Sequence, residues 1–299
     1  MKFAKPLVVC LLIGLLALSA CSPIGTNTSG ALEVVATTQI IGDIVSVISG
    51  DHVDLEILIP PDVDPHAYEP APSDAEKLEL ADLVFSNGLN LEESMSGLLT
   101  GLTSVVAVSD GVAPIQATSG DEAGSVDPHS WMDPQNVKIW ADNIASALAE
   151  ADPANADDYR ANAEAYKSQL DDLDAWAMEQ IALIPQENRV LVTDHEALGY
   201  FAQHYGFEIV GAIIPSYSTL SEPSAGELAD LETAIQQFGV KAIFVGTSMN
   251  PSLAERVAAD TGVKLVPFYT EALSGTNGPA PTYLDMIRYD VGAAVESLK

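Results

Sequence analysis

The stretch Asp127-Pro128-His129-Ser130-Trp131-Met132-Asp133-Pro134 places a histidine between two acids and two prolines. Its core, Asp-Pro-His, occurs a second time at Asp64-Pro65-His66. Proline fixes its own φ and keeps the preceding residue out of helical geometry, so each histidine follows a stiff, extended corner. Imidazole is the commonest metal ligand in proteins and must be held still to chelate. The repeated corner therefore predicts two histidine ligands of one metal site.

Two further candidate ligands follow apolar runs that are typical of strands. His195 ends the run Val192-Thr193-Asp194-His195, and Glu271 follows Val266-Pro267-Phe268-Tyr269. We expect His66, His129, His195 and Glu271 to converge on one transition-metal ion. The acids that precede the histidines, Asp64, Asp127 and Asp194, either orient the imidazoles or only open turns.

The first residues have the pattern of a signal peptide, assigned to residues 1–20. Lys2 and Lys5 give a positive start, and the apolar run from Leu7 to Leu18 is too short to span a membrane. Leu18-Ser19-Ala20-Cys21 resembles a bacterial lipobox, which implies cleavage before Cys21 and a lipid anchor on that residue. The alternative is an ordinary secretory cleavage site. Residues 21–31 are predicted to form a flexible tether.

Cysteine and charge restrict the chemistry further. The chain has two cysteines, Cys10 and Cys21, so after cleavage and acylation no thiolate is left to bind a metal. The net charge of −31 argues against nucleic acid as a partner, because phosphate binding draws on Lys and Arg. The acids are scattered along the chain, which indicates a solvated surface that suits cation capture without identifying it.

Strand-like runs alternate with helical patterns, which predicts an α/β fold of parallel βαβ units. We expect an N-terminal lobe at residues 32–152, a bridging helix at 153–185 and a C-terminal lobe at 186–299. The helical pattern Ala154–Ile184 would reach roughly 45 Å, enough to join two lobes. Ser73 with Glu76 predicts a capping box for a shorter helix. Two candidate ligands precede the long helix and two follow it, so the site is predicted between the lobes, beyond the carboxyl ends of the strands.

These residues resemble the periplasmic or surface-anchored binding components of bacterial ABC transporters for zinc and manganese. The resemblance extends from Val34 to Leu298 and rests on three motifs. They are Pro65-His66-Ala67-Tyr68-Glu69-Pro70-Ala71-Pro72-Ser73-Asp74, Asp127 to Pro134, and His195 followed by Gly199-Tyr200-Phe201 and Tyr205-Gly206.

The resemblance implies two lobes with mainly parallel sheets, a single rigid bridging helix and a buried site at the lobe interface. It implies His66, His129, His195 and Glu271 as the ligands, and delivery of the ion to a membrane permease with its ATPase. We expect a monomer, anchored to the outer face of the cytoplasmic membrane or located in the periplasm.

The sequence also departs from the family pattern. The third ligand position is usually His in zinc-type members and Glu in manganese-type members, so His195 predicts Zn²⁺, with Mn²⁺ as the alternative. The fourth position is usually Asp, and Glu271 is one methylene longer. The loop from Gly111 to Val126 is acidic, where many zinc-type members are histidine-rich. Gly246-Thr247 replaces a pattern that is often acidic.

A zinc hydrolase is the main rival class of protein. A catalytic zinc keeps an open position for water and needs a nearby base, a role for which Glu196 is the candidate. The sequence contains no His-Glu-x-x-His helix, and four protein ligands would close the site to substrate. A surface adhesin is compatible with lipid anchoring but has no sequence feature in its favour. We therefore predict a metal carrier, not an enzyme.

Overall fold

The apolar runs of the sequence form two parallel four-stranded sheets, which confirms the predicted α/β class. The first sheet contains β1 (Leu32–Ala36), β2 (Val53–Ile57), β3 (Leu83–Ser86) and β4 (Val105–Ala107), in the order β2-β1-β3-β4. The second contains β5 (Val190–His195), β6 (Glu208–Ile214), β7 (Ala242–Gly246) and β8 (Lys264–Phe268), in the order β6-β5-β7-β8. Each sheet is the base of one lobe, and the two lobes share the same strand order.

This computed structural model describes residues 30–117 and 123–299. The predicted signal peptide, Cys21 and most of the predicted tether lie outside the described residues, as does part of the acidic loop. Within the described part, Leu32–Lys299 forms one compact unit. None of its helices combines the length and the apolar character needed to cross a bilayer.

Helices connect the strands and cover both faces of the sheets. They are α1 (Gln39–Ser49), α2 (Pro72–Leu80), α3 (Ser96–Leu99), α4 (Pro134–Ala151), α5 (Ala156–Ile181), α6 (Gly199–Tyr205), α7 (Ala225–Phe238), α8 (Ser252–Thr261) and α9 (Tyr283–Leu298). Single 3-10 turns occur at Gly50–His52, Glu93–Met95, Ser130–Met132 and Gln186–Asn188.

The long helix is shorter at both ends than its sequence pattern. It spans 26 residues, Ala156–Ile181, instead of the 31 expected. At its start, Asp152 accepts hydrogen bonds from the backbone of Ala154 (3.2 Å) and the side chain of Asn155 (2.6 Å), and this turn delays the helix. At its end, Pro185 disfavours helical geometry at the residue before it. The helix lies within the predicted bridging segment 153–185.

The two lobes share one hydrophobic core. It joins strands β1 and β5 to helices α1, α4, α5, α6 and α9, and its largest side chains include Trp131, Trp140 and Tyr283. Helix α5 contributes Tyr159, Ala163, Tyr166, Leu170, Leu173, Ala177 and Ile181, all buried. Each sheet has a smaller core on its other face. Because burial of apolar side chains drives folding, this shared core joins the lobes into one packed body.

The predicted capping box at Ser73 is wrong. Helix α2 begins at Pro72, and the acid of its first turn, Asp74, accepts hydrogen bonds from the backbone of Ala71 (2.8 Å) and the hydroxyl of Tyr68 (2.7 Å). Proline is favoured in the first helical turn because its missing N–H would have no partner there. The proline therefore sets the start of the helix two residues earlier.

Candidate metal centre

The four residues predicted as ligands come together at the carboxyl ends of the strands. His66 lies in the loop after β2, His129 in the loop after β4, His195 ends β5, and Glu271 follows β8. Each offers one ligand atom, and these atoms lie within 4.8 Å of one another. Two come from each lobe, so the cluster lies between the sheets, where open α/β folds bind their ligands.

The distances between the ligand atoms match a single small ion. The Nε2 atom of His129 lies 3.2 Å from Nε2 of His66 and 3.3 Å from Nε2 of His195. Oε1 of Glu271 lies 3.1 Å from His129 Nε2 and 3.0 Å from His195 Nε2. Ligand atoms placed tetrahedrally at 2.0–2.1 Å from a zinc ion are about 3.3–3.4 Å apart. The cluster therefore has the dimensions of a first-row metal site.

The site is buried, and one oxygen of the Glu271 carboxylate has no hydrogen-bond partner among the described residues. Solvent exposure is 0% for His129 and His195, 2% for Glu271 and 4% for His66. Oε2 of Glu271 is buried without a hydrogen-bond partner among the described residues and lies 4.0 Å from His66 Nε2. A buried carboxylate oxygen without a partner is costly unless a cation compensates it.

Two of the three preceding acids orient an imidazole. Oδ1 of Asp127 accepts from both the backbone N–H (2.9 Å) and Nδ1 (2.7 Å) of His129. Oδ1 of Asp194 does the same for His195, at 2.7 Å and 2.9 Å. With its proton held on Nδ1, each ring presents the Nε2 lone pair to the cluster. Asp64 differs, since its Oδ1 accepts only the backbone N–H of His66, at 2.9 Å.

The local sequence explains why the His129 corner is rigid. His129 accepts from the backbone of Met132 (3.1 Å) in a 3-10 turn, and Asp133 then caps helix α4 through the backbone of Gln135 (2.8 Å). Trp131, within this turn, donates its indole N–H to the carbonyl of Thr270 at 2.8 Å. The same motif therefore fixes one candidate ligand and braces the residue beside Glu271.

The sequence argument did not identify the part played by Gly199 and Gly246. A Cβ atom on Gly199 would collide with Oδ2 of Asp127. A Cβ atom on Gly246 would lie 2.9 Å from Oδ2 of Asp194, an oxygen that accepts the Gly246 backbone N–H at 2.6 Å. In the sequence, the two glycines were marked only by their place in the motifs. Their place does not show that the structure leaves no room for a side chain there.

The electrostatics of the cluster are dominated by burial and by the carboxylates. The pKa of His195 is raised to about 10: burial lowers it, but Asp194 and Glu271 raise it by more. Burial lowers the pKa of His66 to about 3. Although burial alone would raise the pKa of Glu271, the facing imidazoles, His129 foremost, bring it well below its ordinary value. Protons and a metal ion therefore compete for the same nitrogen lone pairs.

The other two histidines of the chain lie outside the cluster. His204, on α6, contacts Asp174 at 2.7 Å and Asp133 at 3.4 Å. His52 contacts Asp158 at 3.2 Å. Neither contributes to the group of side chains spaced for a metal among the described residues.

The chain is similar to known proteins over almost its whole length. The family model of ZnuA, the periplasmic component A of a zinc-uptake complex, matches residues 34–297. The manganese-binding lipoprotein MntA of Halalkalibacterium halodurans is 35% identical over 277 residues, which cover 92% of this chain and 91% of MntA. The iron ABC transporter substrate-binding lipoprotein MtsA of Streptococcus pyogenes is 33% identical over 293 residues, 94% of each chain.

A solved structure is similar to this chain in its fold as well. The periplasmic zinc-binding protein TroA from Treponema pallidum superposes with a TM-score of 0.84 at 33% identity, covering 90% of this chain and 99% of TroA. The names of these relatives specify zinc, manganese and iron, so the resemblance identifies the class of cargo without selecting one ion. The chain belongs to the ZnuA family, the metal-binding components of ABC transporters, which are binding proteins and not enzymes.

Proposed function

We propose that this protein captures one Zn²⁺ ion through His66, His129, His195 and Glu271 and delivers it to the permease of an ABC importer. The proposal rests on a buried cluster of three Nε2 atoms and one carboxylate. The Nε2 atom of His129 and the Nε2 atom of His195 lie 3.0–3.3 Å from each other and from the neighbouring ligand atoms. Three neutral imidazoles and one carboxylate suit zinc, which accepts four-coordinate N/O sites without a geometric penalty.

Manganese is the second candidate cargo, because one specific observation favours it. Oε2 of Glu271 has no hydrogen-bond partner among the described residues and is close enough to the cluster to become a second oxygen ligand. A bidentate Glu271 would give three nitrogens and two oxygens, and Mn²⁺ favours oxygen donors more than zinc does.

The proposed cycle is capture and release without chemistry. The ion loses its water on entering the cleft, and the four ligands replace that water. The lobes move little because they share a core, so release requires the permease to displace a ligand-bearing loop. Four protein ligands leave no position for a reacting water, which agrees with a carrier.

We further propose that the chain acts outside the cytoplasm. Residues 1–20 would be removed as a signal peptide, Cys21 would carry the lipid, and residues 21–31 would tether a monomer to the membrane. The related MntA and MtsA are named lipoproteins, which supports the anchor. The lobes would be residues 32–152 and 186–299, with the bridge at 153–185.

The test is a metal competition. The chain from Ser22 to Lys299, stripped with a chelator, is titrated with zinc and manganese by calorimetry while its thermal stability is followed. We expect one zinc per chain that equimolar manganese does not displace. His129→Ala and Glu271→Gln should each weaken zinc binding by at least about 100-fold, since each removes a direct ligand from a rigid site.

The matched control is His52→Ala, which removes an imidazole outside the cluster and should leave the affinity unchanged. Preferential binding of manganese would replace the zinc proposal with the manganese one. Wild-type affinity in His129→Ala would contradict the ligand assignment.

A further inference from the structure

A cleft of about 590 Å³ ends at one member of the cluster, His66. One wall comes from the first lobe and includes Asn90, Glu93 and Pro128, and the other comes from the loop of residues 215–224 and includes Tyr217 and Leu220. Of the four proposed ligands, only His66 lines this cleft. An ion that passes through the cleft would therefore meet His66 first on its way in and leave it last on its way out.

His66 is also held differently from the other two histidines. The rings of His129 and His195 are fixed at Nδ1 by Asp127 and Asp194. For His66, the carboxylate of Asp64 binds the backbone N–H instead of the ring. The position of the His66 ring thus depends on where its loop is held.

That loop is tied to the opposite wall of the cleft. The hydroxyl of Thr219 donates to Oδ2 of Asp64 at 2.6 Å, while Oδ1 of the same carboxylate accepts from His66. Asp64 is partly buried, and a hydrogen bond to a carboxylate is stronger than one between neutral groups. One carboxylate therefore links the 215–224 loop to the backbone of a proposed ligand.

Hydroxyl groups within the 215–224 loop also form hydrogen bonds inside the loop. Ser221 donates to Ser216 at 3.1 Å, and the backbone of Leu220 donates to Ser218 at 3.3 Å. Leu220 is 58% exposed. In contrast, the links through Trp131 to Thr270 and through Tyr283 to Trp131 lie in the shared core. The link between Thr219 and Asp64 therefore lies outside the shared core.

We propose that Thr219 is a positioning residue for metal exchange: through Asp64 it holds the His66 loop across the mouth of the site and slows departure of the ion. The inference rests on the proposed metal-binding function. Breaking the hydrogen bond frees the His66 loop from the opposite wall without removing a ligand. The expected consequence is faster dissociation of the metal, with little change in the rate at which it binds.

The test measures zinc dissociation by rapid mixing of the zinc-loaded protein with excess chelator. Thr219→Val keeps the shape and removes the hydroxyl, and we expect dissociation about tenfold faster, as for loss of a hydrogen bond to a charged group. Thr219→Ser should restore the slow rate. Thr233→Val, which makes the same substitution at an exposed position on helix α7, should keep the wild-type rate.

A double-mutant cycle checks the route through Asp64. In an Asp64→Ala background, Thr219→Val should add nothing to the dissociation rate. An additive effect, an equal effect of Thr233→Val, or a wild-type rate in Thr219→Val would each overturn the inference while metal binding stands. Absence of zinc binding by the wild-type chain would instead refute the proposed function.

Discussion

Gly246 lies where any side chain would disturb the acid that orients His195. A Cβ atom there would be 2.5 Å from Oγ1 of Thr270 and 2.9 Å from Oδ2 of Asp194. Real Cβ atoms do not approach other atoms this closely, so either the strand end or the two side chains must shift. Because Thr270 precedes Glu271, such a shift would reach proposed ligands from both β5 and the segment after β8.

Replacing Gly246 by alanine should therefore affect both folding and metal binding. We expect a loss of about 1–3 kcal/mol in the free energy of unfolding from overpacking. Zinc affinity should fall by about 10-fold or more, since Asp194 supports a ligand. Denaturant unfolding and zinc titration measure the two effects.

The matched control is Gly292→Ala on helix α9, where an added Cβ atom has nothing within 4 Å. Alanine in a helix interior stabilises by roughly 0.5–1 kcal/mol relative to glycine, so this control should be neutral or stabilising. Zinc affinity at the wild-type level in Gly246→Ala would show that the site tolerates movement of Asp194.

At the scale of elements, the two lobes are joined by a partly buried acid at a helix end. Asp43, on α1 of the first lobe, accepts the backbone N–H of Tyr283 at 2.8 Å, where α9 begins. Burial raises the pKa of Asp43 to about 6, although the bond to Tyr283 opposes this rise. An acid at a helix N-terminus is favourable, yet burial of its charge outweighs that gain.

The raised pKa of Asp43 makes stability depend on pH in a defined window. Between the ordinary value of 3.8 and about 6, the folded state binds the proton more tightly than the unfolded state does. The contribution of Asp43 to the free energy of unfolding therefore falls as pH rises through this window, and stays low above it. Asp43→Asn, which keeps an oxygen acceptor for Tyr283, should be more stable than wild type at pH 7 by on the order of 2 kcal/mol.

Urea unfolding at several values between pH 4 and pH 7 measures this difference, which should shrink toward pH 4. Asp172→Asn removes the same charge from an exposed position on α5 and serves as the control. If both variants gained the same free energy of unfolding, the gain would come from the lower net charge, and the predicted origin of the effect would be wrong.

At the scale of the whole molecule, the shared core restricts how far the lobes can move. Helices α1, α4, α5, α6 and α9 pack into it, and Arg288 of α9 lies over the ring of Trp176 of α5 at 5.5 Å. Packed cores do not deform continuously, so domain closure of the hinge type would require breaking this core.

Zinc binding should therefore change the overall dimensions very little. For a compact chain of this size the radius of gyration is about 19 Å, and we expect it to differ by less than about 1 Å between metal-free and zinc-loaded protein. Small-angle X-ray scattering measures this difference, with His129→Ala plus zinc as the control. A larger contraction that the control does not show would mean that the lobes close around the ion.

Much of the site was predictable because its rigidity is local. The Asp-Pro-His corners restrict the backbone through proline alone, and the acids two residues before His66 and His129 can reach the backbone N–H without tertiary help. The alternation of apolar runs with helical patterns likewise predicted the parallel sheets. The predicted helix ends were less accurate, because the turn at Asp152 and the proline at position 72 set the helix starts at positions that the periodic pattern does not show.

The sequence by itself determined the chemical type of the candidate ligands and the stiff corners that present two of them. Only the tertiary structure decided that groups separated by 63, 66 and 76 residues meet within one cluster. It also decided that Asp127 and Asp194 orient a ring while Asp64 connects to Thr219. The physical reason is range: proline and turn geometry act over a few residues, whereas burial and hydrogen bonds between lobes depend on how the two sheets pack.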